Sequence, residues 1–559
     1  MNQSAPAVPV SRPSPLRRAG QLLALDRQDI LVIVIYGVAL GLLSLAVPIA
    51  VQSLVNTVAF GSLIQPLFVL TVLLTVALTG AAVLRALQVR IAEMLQRRLF
   101  VRIVAEIGGR LPRVTARALR DANGPELLNR FFDLFTIQKS VASLLLGGVD
   151  AVLIALVGLI VLAVYHPALL AFDLVLILGT VLVLVPLGRG GTGTSIAESK
   201  AKYAVAGWLE EMARHPLSFK LAGGEPFAQQ QLSGLAQSYL EKRSDHFRVV
   251  FRQVAGALTI EVVASVALLA VGGILVIERQ LSLGQLVAAE LIVTAVVASI
   301  AKLGNKVETF YDLVAAVDKI GQILDLPLER ADGEPLASRP GATGQLVLRD
   351  VEINGAFRPM RISMQLQPGE RLAIAGIPEC ATTEIADVIF GLTPVSSGII
   401  EIDGHDARDL AVREIRKRIA LVRGPEIFPG RILDNVRAAN TALSTEKAWE
   451  ALRRVGLEQV VKALPDGLQT RVLSDGAPLS RAQAMALTVA RGIASKPSVL
   501  ILDRTLDRLD PAEVARMLDQ LFVDRDMSLL LVSENPAVHR RADRQVRLSE
   551  TTTSEGEAT

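Results

Sequence analysis

The chain has 559 residues, of which 51% are hydrophobic and 20% are charged, and its formal net charge at pH 7 is only +3. Such a small net charge gives no indication of a nucleic-acid partner. The single cysteine, Cys380, excludes an intramolecular disulfide and a metal site built from several cysteines. Mean hydropathy is +0.44, which is high for a soluble protein with this share of charged residues.

The apolar residues are unevenly distributed, and we divide the chain into five parts. Residues 1–28 form a tail and an amphipathic lead-in, which starts rich in Pro and Ser and lacks the pattern of a cleavable signal. Residues 29–325 are predicted to form a membrane domain, and residues 345–550 a soluble α/β domain. Between them, residues 326–344 form a polar linker, and residues 551–559 form a C-terminal tail.

Six stretches of the membrane domain approach or exceed the roughly 20 apolar residues that a spanning helix needs. They are predicted at residues 30–50, 64–84, 141–165, 169–187, 254–277 and 283–302. The long segments after the second and fourth stretches contain few helix breakers, so we expect these helices to continue well beyond the bilayer. Because these segments and the N-terminal tail hold most of the Lys and Arg residues of the membrane half, both termini are predicted to be cytoplasmic.

Four carboxylates lie in or near the predicted spans. Asp150 and Glu261 fall toward the cytoplasmic ends, whereas Asp173 and Glu290 lie deeper. A carboxylate inside a membrane is costly and faces a wet cavity or a partner. A cavity for a cationic or polar substrate and hydrogen bonding between helices both account for such residues. We favour hydrogen bonding for Asp150 and Glu261, and both interpretations stay open for Asp173 and Glu290.

The soluble half alternates apolar strands with helices, which predicts a parallel sheet covered on both faces. Within residues 371–391 a strand runs into Gly376, a short loop, and a helix expected to begin near Thr383. This is the frame of a phosphate-binding P-loop, G-x-x-x-x-G-K-[ST]. The position of its second glycine is Ala381, the position of its lysine is Thr382, and Thr383 matches the last residue of the motif.

The altered loop predicts weak or absent nucleotide binding by this chain. A P-loop turns backbone N–H groups toward phosphate oxygens, and its lysine adds a positive charge. Here Pro378 removes an N–H group, Glu379 brings a negative charge, and Thr382 has no charge. We expect Thr382 or Thr383 to cap the following helix instead, with Glu384 complementing the helix dipole.

Further motifs follow in a fixed order along the soluble half. They are IDG at 402–404, LPDGLQTRV at 464–472, LSRAQ at 479–483, LILD at 500–503 and LD at 509–510. With the six predicted spans, this order resembles that of ABC exporter half-transporters. The resemblance implies a membrane α-helical six-span ABC exporter domain followed by a cytoplasmic α/β ABC-type domain similar to P-loop NTPases. It also implies dimers of two halves, with ATP and Mg²⁺ between the P-loop of one half and the signature motif of the other.

Several positions depart from the pattern of this family. The catalytic glutamate is replaced by Arg504, the switch histidine by Glu534, and the sensor glutamine is absent where Arg423 follows its strand. The adenine-stacking aromatic residue is missing at about Gly355. Arginine cannot act as a base, and losing one charge-stabilising group commonly costs about a hundredfold in rate. We therefore assign no catalytic residue to this chain.

The resemblance places other residues toward the nucleotide of a partner. The signature LSGGQ retains Ser480 and Gln483 but has Arg481 in place of a glycine, and Asp510 of the D-loop is present. Asp503 is the candidate for holding a hydrated metal ion. ATP and Mg²⁺ are therefore expected to reach this chain through the partner subunit. Helices near Gly124–Phe132 and Ala204–Glu211 are expected to pass domain closure to the spans.

Three interpretations of function stay open. The first is half of an ABC-type exporter of the bacterial inner membrane, paired with an intact ABC half and moving a substrate that the sequence does not identify. The second is an ATP-independent scaffold or regulator that uses the ABC fold for assembly. The third, an active homodimeric exporter, requires every altered motif to work. The lipid bilayer is the expected environment, and the resemblance allows a periplasmic membrane-fusion protein as a further partner.

Overall fold

A computed structural model describes residues 14–548, apart from residues 61–63, 122–126, 128, 222, 336–343, 355–358, 377–378, 439, 508, 522 and 524. The chain divides into two compact units. Unit one comprises Met1–Pro112 and Asp121–Leu326, and unit two comprises Arg113–Arg120 and Pro327–Thr559. Residues 336–343 of the predicted linker lie outside the described residues.

The part of the chain before residue 325 is built from helices, several of them long. They are α1 (Pro15–Ala24), α2 (Arg27–Ser44), α3 (Ala46–Phe60), α4 (Ile64–Arg110), α5 (Ala116–Asp121), α6 (Asp133–Ser143), α7 (Asp150–Tyr165), α8 (Pro167–Leu184), α9 (Gly191–Arg214), α10 (Pro216–Phe219), α11 (Gly224–Ile277) and α12 (Leu283–Leu324). A π-helical segment, Leu144–Val149, joins α6 to α7. The start of α12 is fixed by a reciprocal cap, in which Gln285 N donates to Ser282 Oγ and Ser282 N donates to Gln285 Oε1.

Six helical stretches of the described chain are long and apolar enough to cross a membrane, and each overlaps one of the six predicted spans. The expected continuation beyond the bilayer is confirmed for the second span, since α4 has 47 residues, but not for the fourth, whose helix α8 ends at Leu184. Helices α11 and α12 are also long, with 54 and 42 residues. At 1.5 Å per residue, α11 is about 80 Å long, well over the roughly 30 Å of the hydrocarbon core. Apolar side chains such as Leu162, Leu268 and Ile292 form one of the buried clusters between these helices.

The fourth span ends earlier than predicted. Helix α8 stops at Leu184 and α9 begins at Gly191, so the chain leaves helical geometry between them. Gln253 Nε2 donates to the carbonyl oxygen of Leu184 at 3.3 Å, and Tyr311 Oη donates to that of Gly188 at 3.2 Å. Side chains of α11 and α12 therefore satisfy carbonyl groups that the interrupted helix leaves open.

The four carboxylates of the membrane domain differ in their surroundings. Asp150 forms an ion pair with Arg85 and accepts from Gln88 Nε2 at 3.0 Å, which confirms hydrogen bonding between helices for this residue. The sequence interpretation overlooked Arg85 as its partner. Asp173 is 3% exposed, and neither of its carboxylate oxygens has a hydrogen-bond partner among the described residues. Glu290 is exposed, so both interpretations stay open for Asp173 and Glu290. Glu261 is half-buried, and hydrogen bonding between helices stays a prediction for it.

Unit two contains eleven described strands in three sheets. They are β1 (Leu346–Asn354), β2 (Pro359–Leu366), β3 (Arg371–Ala375), β4 (Ile399–Ile402), β5 (His405–Asp406), β6 (Ile419–Val422), β7 (Gly430–Arg431), β8 (Arg471–Val472), β9 (Val499–Asp503), β10 (Ser528–Val532) and β11 (Arg544–Arg547). The predicted parallel sheet is confirmed, with five strands in the order β11-β3-β10-β9-β6. An antiparallel sheet has the order β2-β1-β4-β5, and β7 pairs with β8.

The described helices of unit two cover this parallel sheet on both faces. They are α13 (Glu379–Ile389), α14 (Val412–Arg418), α15 (Ile432–Arg437), α16 (Thr445–Arg454), α17 (Glu458–Ala463), α18 (Arg481–Ala494), α19 (Pro511–Leu521) and α20 (Pro536–His539). Along β10, Leu529 and Leu531 join one buried cluster and Leu530 joins the other. Burying such a side chain contributes about 1.5–3 kcal/mol, which explains why this strand is apolar at every position except its first.

Candidate functional site

The order of the parallel sheet decides which residues meet at its edge. Strands β3, β10, β9 and β6 are neighbours in that order and all run in the same direction. Their carboxyl ends lead directly into Gly376, Ser533, Arg504 and Arg423. Ligands of open α/β sheets bind at this edge, so positions predicted from separate motifs form a single site.

Arg423 lies at the centre of this site. Its Nε donates to Asp503 Oδ2 at 2.6 Å, and its Nη2 donates to Asp387 Oδ1 at 2.8 Å and to the carbonyl oxygen of Thr383 at 3.1 Å. The Asp503 side chain is 1% exposed and the Asp387 side chain 5%. One guanidinium group therefore bridges two buried carboxylates, which would otherwise repel each other.

Burial and ion pairing act in opposite directions on this bridge. Burial raises the pKa of the Asp503 carboxyl above its ordinary value of 3.8, although the hydrogen bond and charge of Arg423 lower it. For Arg423, burial lowers the pKa of the guanidinium, but hydrogen bonds to Asp387 and Asp503 raise it overall. The arginine therefore keeps its charge, and it stabilises two carboxylates that are costly to ionise inside the domain.

Glu534 contacts the first residue of the P-loop frame. Its Oε1 accepts from the backbone N–H of Gly376 at 2.9 Å. The segment before it is fixed by Asp507, which accepts from the Ser533 hydroxyl and, at 3.4 Å, from the backbone N–H of Glu534. A carboxylate thus accepts the hydrogen bond of an N–H group that a P-loop would offer to phosphate.

The helix after the P-loop frame begins earlier than predicted. Helix α13 starts at Glu379, so Thr382 and Thr383 lie inside it and the predicted capping role of either residue is wrong. Ala381 stands where the motif has its second glycine, and an alanine favours helix over the glycine-dependent loop. Thr382 is 1% exposed, so the position expected for a phosphate-binding lysine is turned into the domain.

The signature segment has an ordered start. Ser480 Oγ accepts from Gln483 N at 3.3 Å, and Gln483 Oε1 accepts from Ser480 N at 2.9 Å. This capping box begins α18 with Arg481 as its first residue. Asp510 Oδ1 accepts from Ala512 N at 2.8 Å and stabilises the start of α19 in a similar way. The residues predicted to face a partner are therefore held by local hydrogen bonds.

A small cavity lies beside the bridged carboxylates. Its volume is ≈ 180 Å³, which is below the roughly 300–1,000 Å³ that small-molecule sites commonly enclose. Arg481, Arg504 and Asp507 line it together with Arg423 and Asp503. Arg481 of the signature segment, Arg504 at the catalytic-glutamate position and Asp503, the predicted metal ligand, therefore line one cavity.

The segment Arg113–Arg120 packs within unit two. Val114 forms a β-bridge with Leu328, and Glu329 N donates to the carbonyl oxygen of Arg113 at 2.7 Å. Arg120 Nη1 lies 3.6 Å from Asp387 Oδ2. The described chain thus extends the charge network from Asp503 through Arg423 and Asp387 to Arg120. A lone aspartate at 387 within an apolar run is a sequence signal for this network, whereas the family pattern marks the arginine at 423 only as the loss of a glutamine.

Other predicted positions fall outside this network or outside the described residues. Gly355 and Pro378 lie outside the described part of the chain, and so do residues 124–126 and 128. Ala204–Glu211 lies within α9, and its role in passing domain closure stays a prediction. Among the residues that the structure describes, no group of three or more His, Cys, Asp or Glu side chains is arranged to hold a metal ion.

Comparison with known proteins supports the domain order. The profile described as ABC transporter matches residues 360–506. The mycobactin import ATP-binding/permease protein IrtB of Mycolicibacterium thermoresistibile is 26% identical over 77% of this chain and 73% of its own length. The fatty acid ABC transporter ATP-binding/permease protein of Mycobacterium bovis is 27% identical over 50% of this chain and 44% of its length. The alpha-hemolysin translocation ATP-binding protein HlyB of Escherichia coli is 25% identical over 49% of this chain and 39% of its length.

The matches to the last two relatives thus span less than half of those proteins. A solved structure, described as a bacterial Atm1-family ABC exporter with ATP bound, covers 94% of both chains with a TM-score of 0.81. At 18% sequence identity, this similarity shows the fold alone. Together with the ABC transporter profile and the six spanning helices, this fold accounts for nearly the whole chain. Residues 360–506 therefore form an ABC transporter domain, and the chain as a whole is similar to fused ATP-binding/permease proteins and has the fold of a solved ABC exporter.

Proposed function

We propose that this chain is the non-hydrolysing half of an ABC-type exporter and that it pairs with a second, catalytically intact ABC half. ATP and Mg²⁺ are then bound between the P-loop of the partner and the signature segment of this chain. Ser480 and Gln483, with Asp510 nearby in the D-loop, are the residues that this chain contributes to that shared site.

The observation that carries this proposal is the contrast between the two sides of the ABC domain. On the signature side, Ser480 and Gln483 cap their helix reciprocally, so the partner-facing segment is ordered. On the P-loop side, the Glu534 carboxylate holds the N–H group of Gly376, and Arg423 holds Asp503. A domain of this kind is suited to complete a partner's site while leaving its own site without turnover.

The chemistry of hydrolysis supports the same division. An ABC site needs a residue that orients or deprotonates the attacking water, and Arg504 follows Asp503 at that position. Arginine stays protonated at every relevant pH and cannot accept the proton. Because phosphoryl transfer depends almost entirely on positioned charge, a cation in place of a carboxylate removes the function rather than weakening it.

The membrane domain favours a second half as well. The most apolar window of the second span is 0% buried within this chain, although α4 extends over 47 residues. Because this helix packs so little against its own chain, its remaining surface can contact lipid or another protein. We place the chain in the bacterial inner membrane with both termini cytoplasmic, and a periplasmic membrane-fusion protein is a further partner in this proposal.

No cargo is proposed, because the printed names of the relatives differ in what they carry. One relative is named for a fatty acid, another for mycobactin import and a third for alpha-hemolysin. The substrate of this chain therefore has to come from experiment, with the cavity and packing interpretations of Asp173 and Glu290 both open.

One observation favours a second candidate function, an ATP-independent scaffold or regulator. Arg481 occupies a position at which the family pattern has a glycine, and its side chain is exposed. A bulky cation there could keep a partner's nucleotide from approaching α18. An active homodimeric exporter is the third candidate, and Arg504 argues against it.

The test is purification of the tagged full-length chain from membranes of its native host, followed by an ATPase assay of the purified complex. The proposal expects a second ABC half to co-purify and the complex to hydrolyse ATP. A mutation in the P-loop lysine of that partner should abolish the activity. ATP hydrolysis by this chain alone would contradict the proposal, and a stable complex without any ABC partner would favour the scaffold.

A further inference from the structure

The exporter fold implies a divalent cation and a nucleoside triphosphate at the carboxyl ends of β3 and β9. The residues present do not fit the cation. A divalent cation prefers several oxygen ligands, mostly carboxylate, carbonyl and water oxygens. In this chain Asp503 Oδ2, Asp387 Oδ1 and the carbonyl oxygen of Thr383 all accept hydrogen bonds from Arg423, at 2.6, 2.8 and 3.1 Å.

Positive charges already offset the two buried carboxylates of this cluster without a metal ion. Asp503 and Asp387 bring two negative charges, and both side chains are at least nine-tenths buried. Arg423 brings one positive charge, and Arg120, at 3.6 Å from Asp387, brings a second. A divalent cation added to this cluster would carry its two charges in excess, so it would have to displace a guanidinium group first.

The residues present do not fit a phosphate at Gly376 either. The N–H group of Gly376 donates to Glu534 Oε1 at 2.9 Å. A carboxylate oxygen and a phosphate oxygen are both anionic acceptors, and they compete for the same donor. A phosphate at this donor would also lie next to the negative charge of Glu534, which costs further free energy.

We propose, resting on the function proposed above, that this P-loop site is liganded by its own side chains. The Arg423 guanidinium takes the place of the metal ion, and the Glu534 carboxylate takes the place of a phosphate oxygen. The ABC domain of this half therefore keeps its folded arrangement without MgATP. Its contribution to the transporter is independent of whether nucleotide is present at its own P-loop.

The test is thermal unfolding of the purified full-length chain in EDTA, in MgCl₂ and in MgATP. The wild type is expected to have the same Tm in all three. Arg423→Gln leaves two buried carboxylates without their bridging cation, so its Tm in EDTA should fall by about 5 °C. MgCl₂ alone should restore part of this loss, because Mg²⁺ can then reach Asp503.

Arg541→Gln is the matched control. Arg541 pairs with Asp519 in the same domain through Nε at 2.8 Å and Nη2 at 3.2 Å, but both side chains lie at the surface. Its Tm should not respond to MgCl₂. A wild-type chain stabilised by MgATP would overturn the proposal, and so would an Arg423→Gln variant with wild-type Tm and no response to MgCl₂.

A second variant decides the matter if Arg423→Gln does not fold. Glu534→Ala removes the carboxylate at an exposed position and frees the N–H group of Gly376. Titration with inorganic phosphate should then show binding that is about tenfold tighter than in the wild type. Equal phosphate binding by both would overturn the proposal. These measurements use the isolated chain, so their failure is distinguishable from the absence of an ABC partner in the co-purification.

Discussion

Arg423 donates from Nε to Asp503 Oδ2 over 2.6 Å, so the arginine at the sensor position contacts the carboxylate that the family pattern assigns to metal binding. The same guanidinium group reaches Asp387 on α13. Arg423, which departs from the family pattern, therefore forms interactions of its own with two carboxylates. This makes the changes at 423, 503 and 387 a connected set, and their consequences can be measured together.

The first prediction concerns the pH dependence of stability. Burial raises the pKa of Asp503 in the folded chain above the ordinary value of 3.8, while Arg423 lowers it. Stability from a carboxyl with a raised pKa is fully present below pH 3.8 and is lost as pH rises through the folded-state pKa. Removing the arginine by Arg423→Gln should raise that pKa further and move the loss to higher pH.

The measurement is the free energy of unfolding as a function of pH for the wild type and for Arg423→Gln. Asp503→Asn in the Arg423→Gln background serves as the control, because an amide does not titrate. The additional pH dependence that Arg423→Gln shows relative to the wild type should disappear in the double variant Arg423→Gln with Asp503→Asn. An unchanged profile in Arg423→Gln would show that the bridge does not set the ionisation of Asp503.

The second prediction concerns restoration of the P-loop. Thr382→Lys with Arg504→Glu returns two family residues, yet we expect the affinity for MgATP to stay within about twofold of the wild type. Thr382 is 1% exposed inside α13, and Arg423 and Glu534 remain in place. The measurement is a titration of the purified chain with MgATP.

Adding Arg423→Gln and Glu534→His to the same chain should raise the affinity by about tenfold or more. This variant removes both internal ligands and therefore separates their effect from that of the missing lysine. Tight MgATP binding by the first double variant would contradict the explanation, because the internal ligands would then be no obstacle.

Much of the fold followed from the pattern of apolar residues, and the reason is physical. The six spans and the parallel sheet depend on long apolar runs, whose burial dominates the free energy of folding. The break after Leu184 was missed, because its stabilisation comes from Gln253 and Tyr311, far away in sequence. The bridge from Arg423 to Asp387 was missed for the same reason. A sequence motif shows which residue of the family has been replaced. The residues that the replacement contacts depend on the order of the strands in the sheet.

The third prediction tests the break in the fourth span. A Cβ atom added to Gly191 would lie 2.2 Å from Tyr311 Cζ, which is far inside van der Waals contact. Gly191→Ala should therefore destabilise the membrane domain by about 1–3 kcal/mol. Gly193→Ala is the control, because no atom lies within 4 Å of its added Cβ. Thermal unfolding in detergent gives both values, and equal midpoints for the two variants would refute the close packing.

The fourth prediction concerns the ion pair between α4 and α7. The Asp150 side chain is 5% exposed, and Arg85 supplies its counter-charge. Arg85→Ala leaves this carboxylate with Gln88 as its neutral partner, so a loss of about 3 kcal/mol is expected. Combining Arg85→Gln with Asp150→Asn should recover most of it, because the buried charge is then gone. Arg90→Ala, at an exposed position of the same helix, is expected to have no effect on the thermal midpoint.

The last prediction distinguishes a transporter half from a scaffold. Arg481 is the first residue of α18, directly after the capping Ser480, and the family pattern has a glycine there. If this segment completes a partner's ATP site, Arg481→Gly should bring the backbone closer to the nucleotide and raise the ATPase rate of the co-purified complex. An increase of about tenfold corresponds to 1.4 kcal/mol of transition-state stabilisation, which one added hydrogen bond to a charged group can supply.

Ser480→Ala in the same complex should lower the rate, because it removes both the hydroxyl and the cap of α18. The scaffold function expects no change from either variant, since neither residue would then meet a nucleotide.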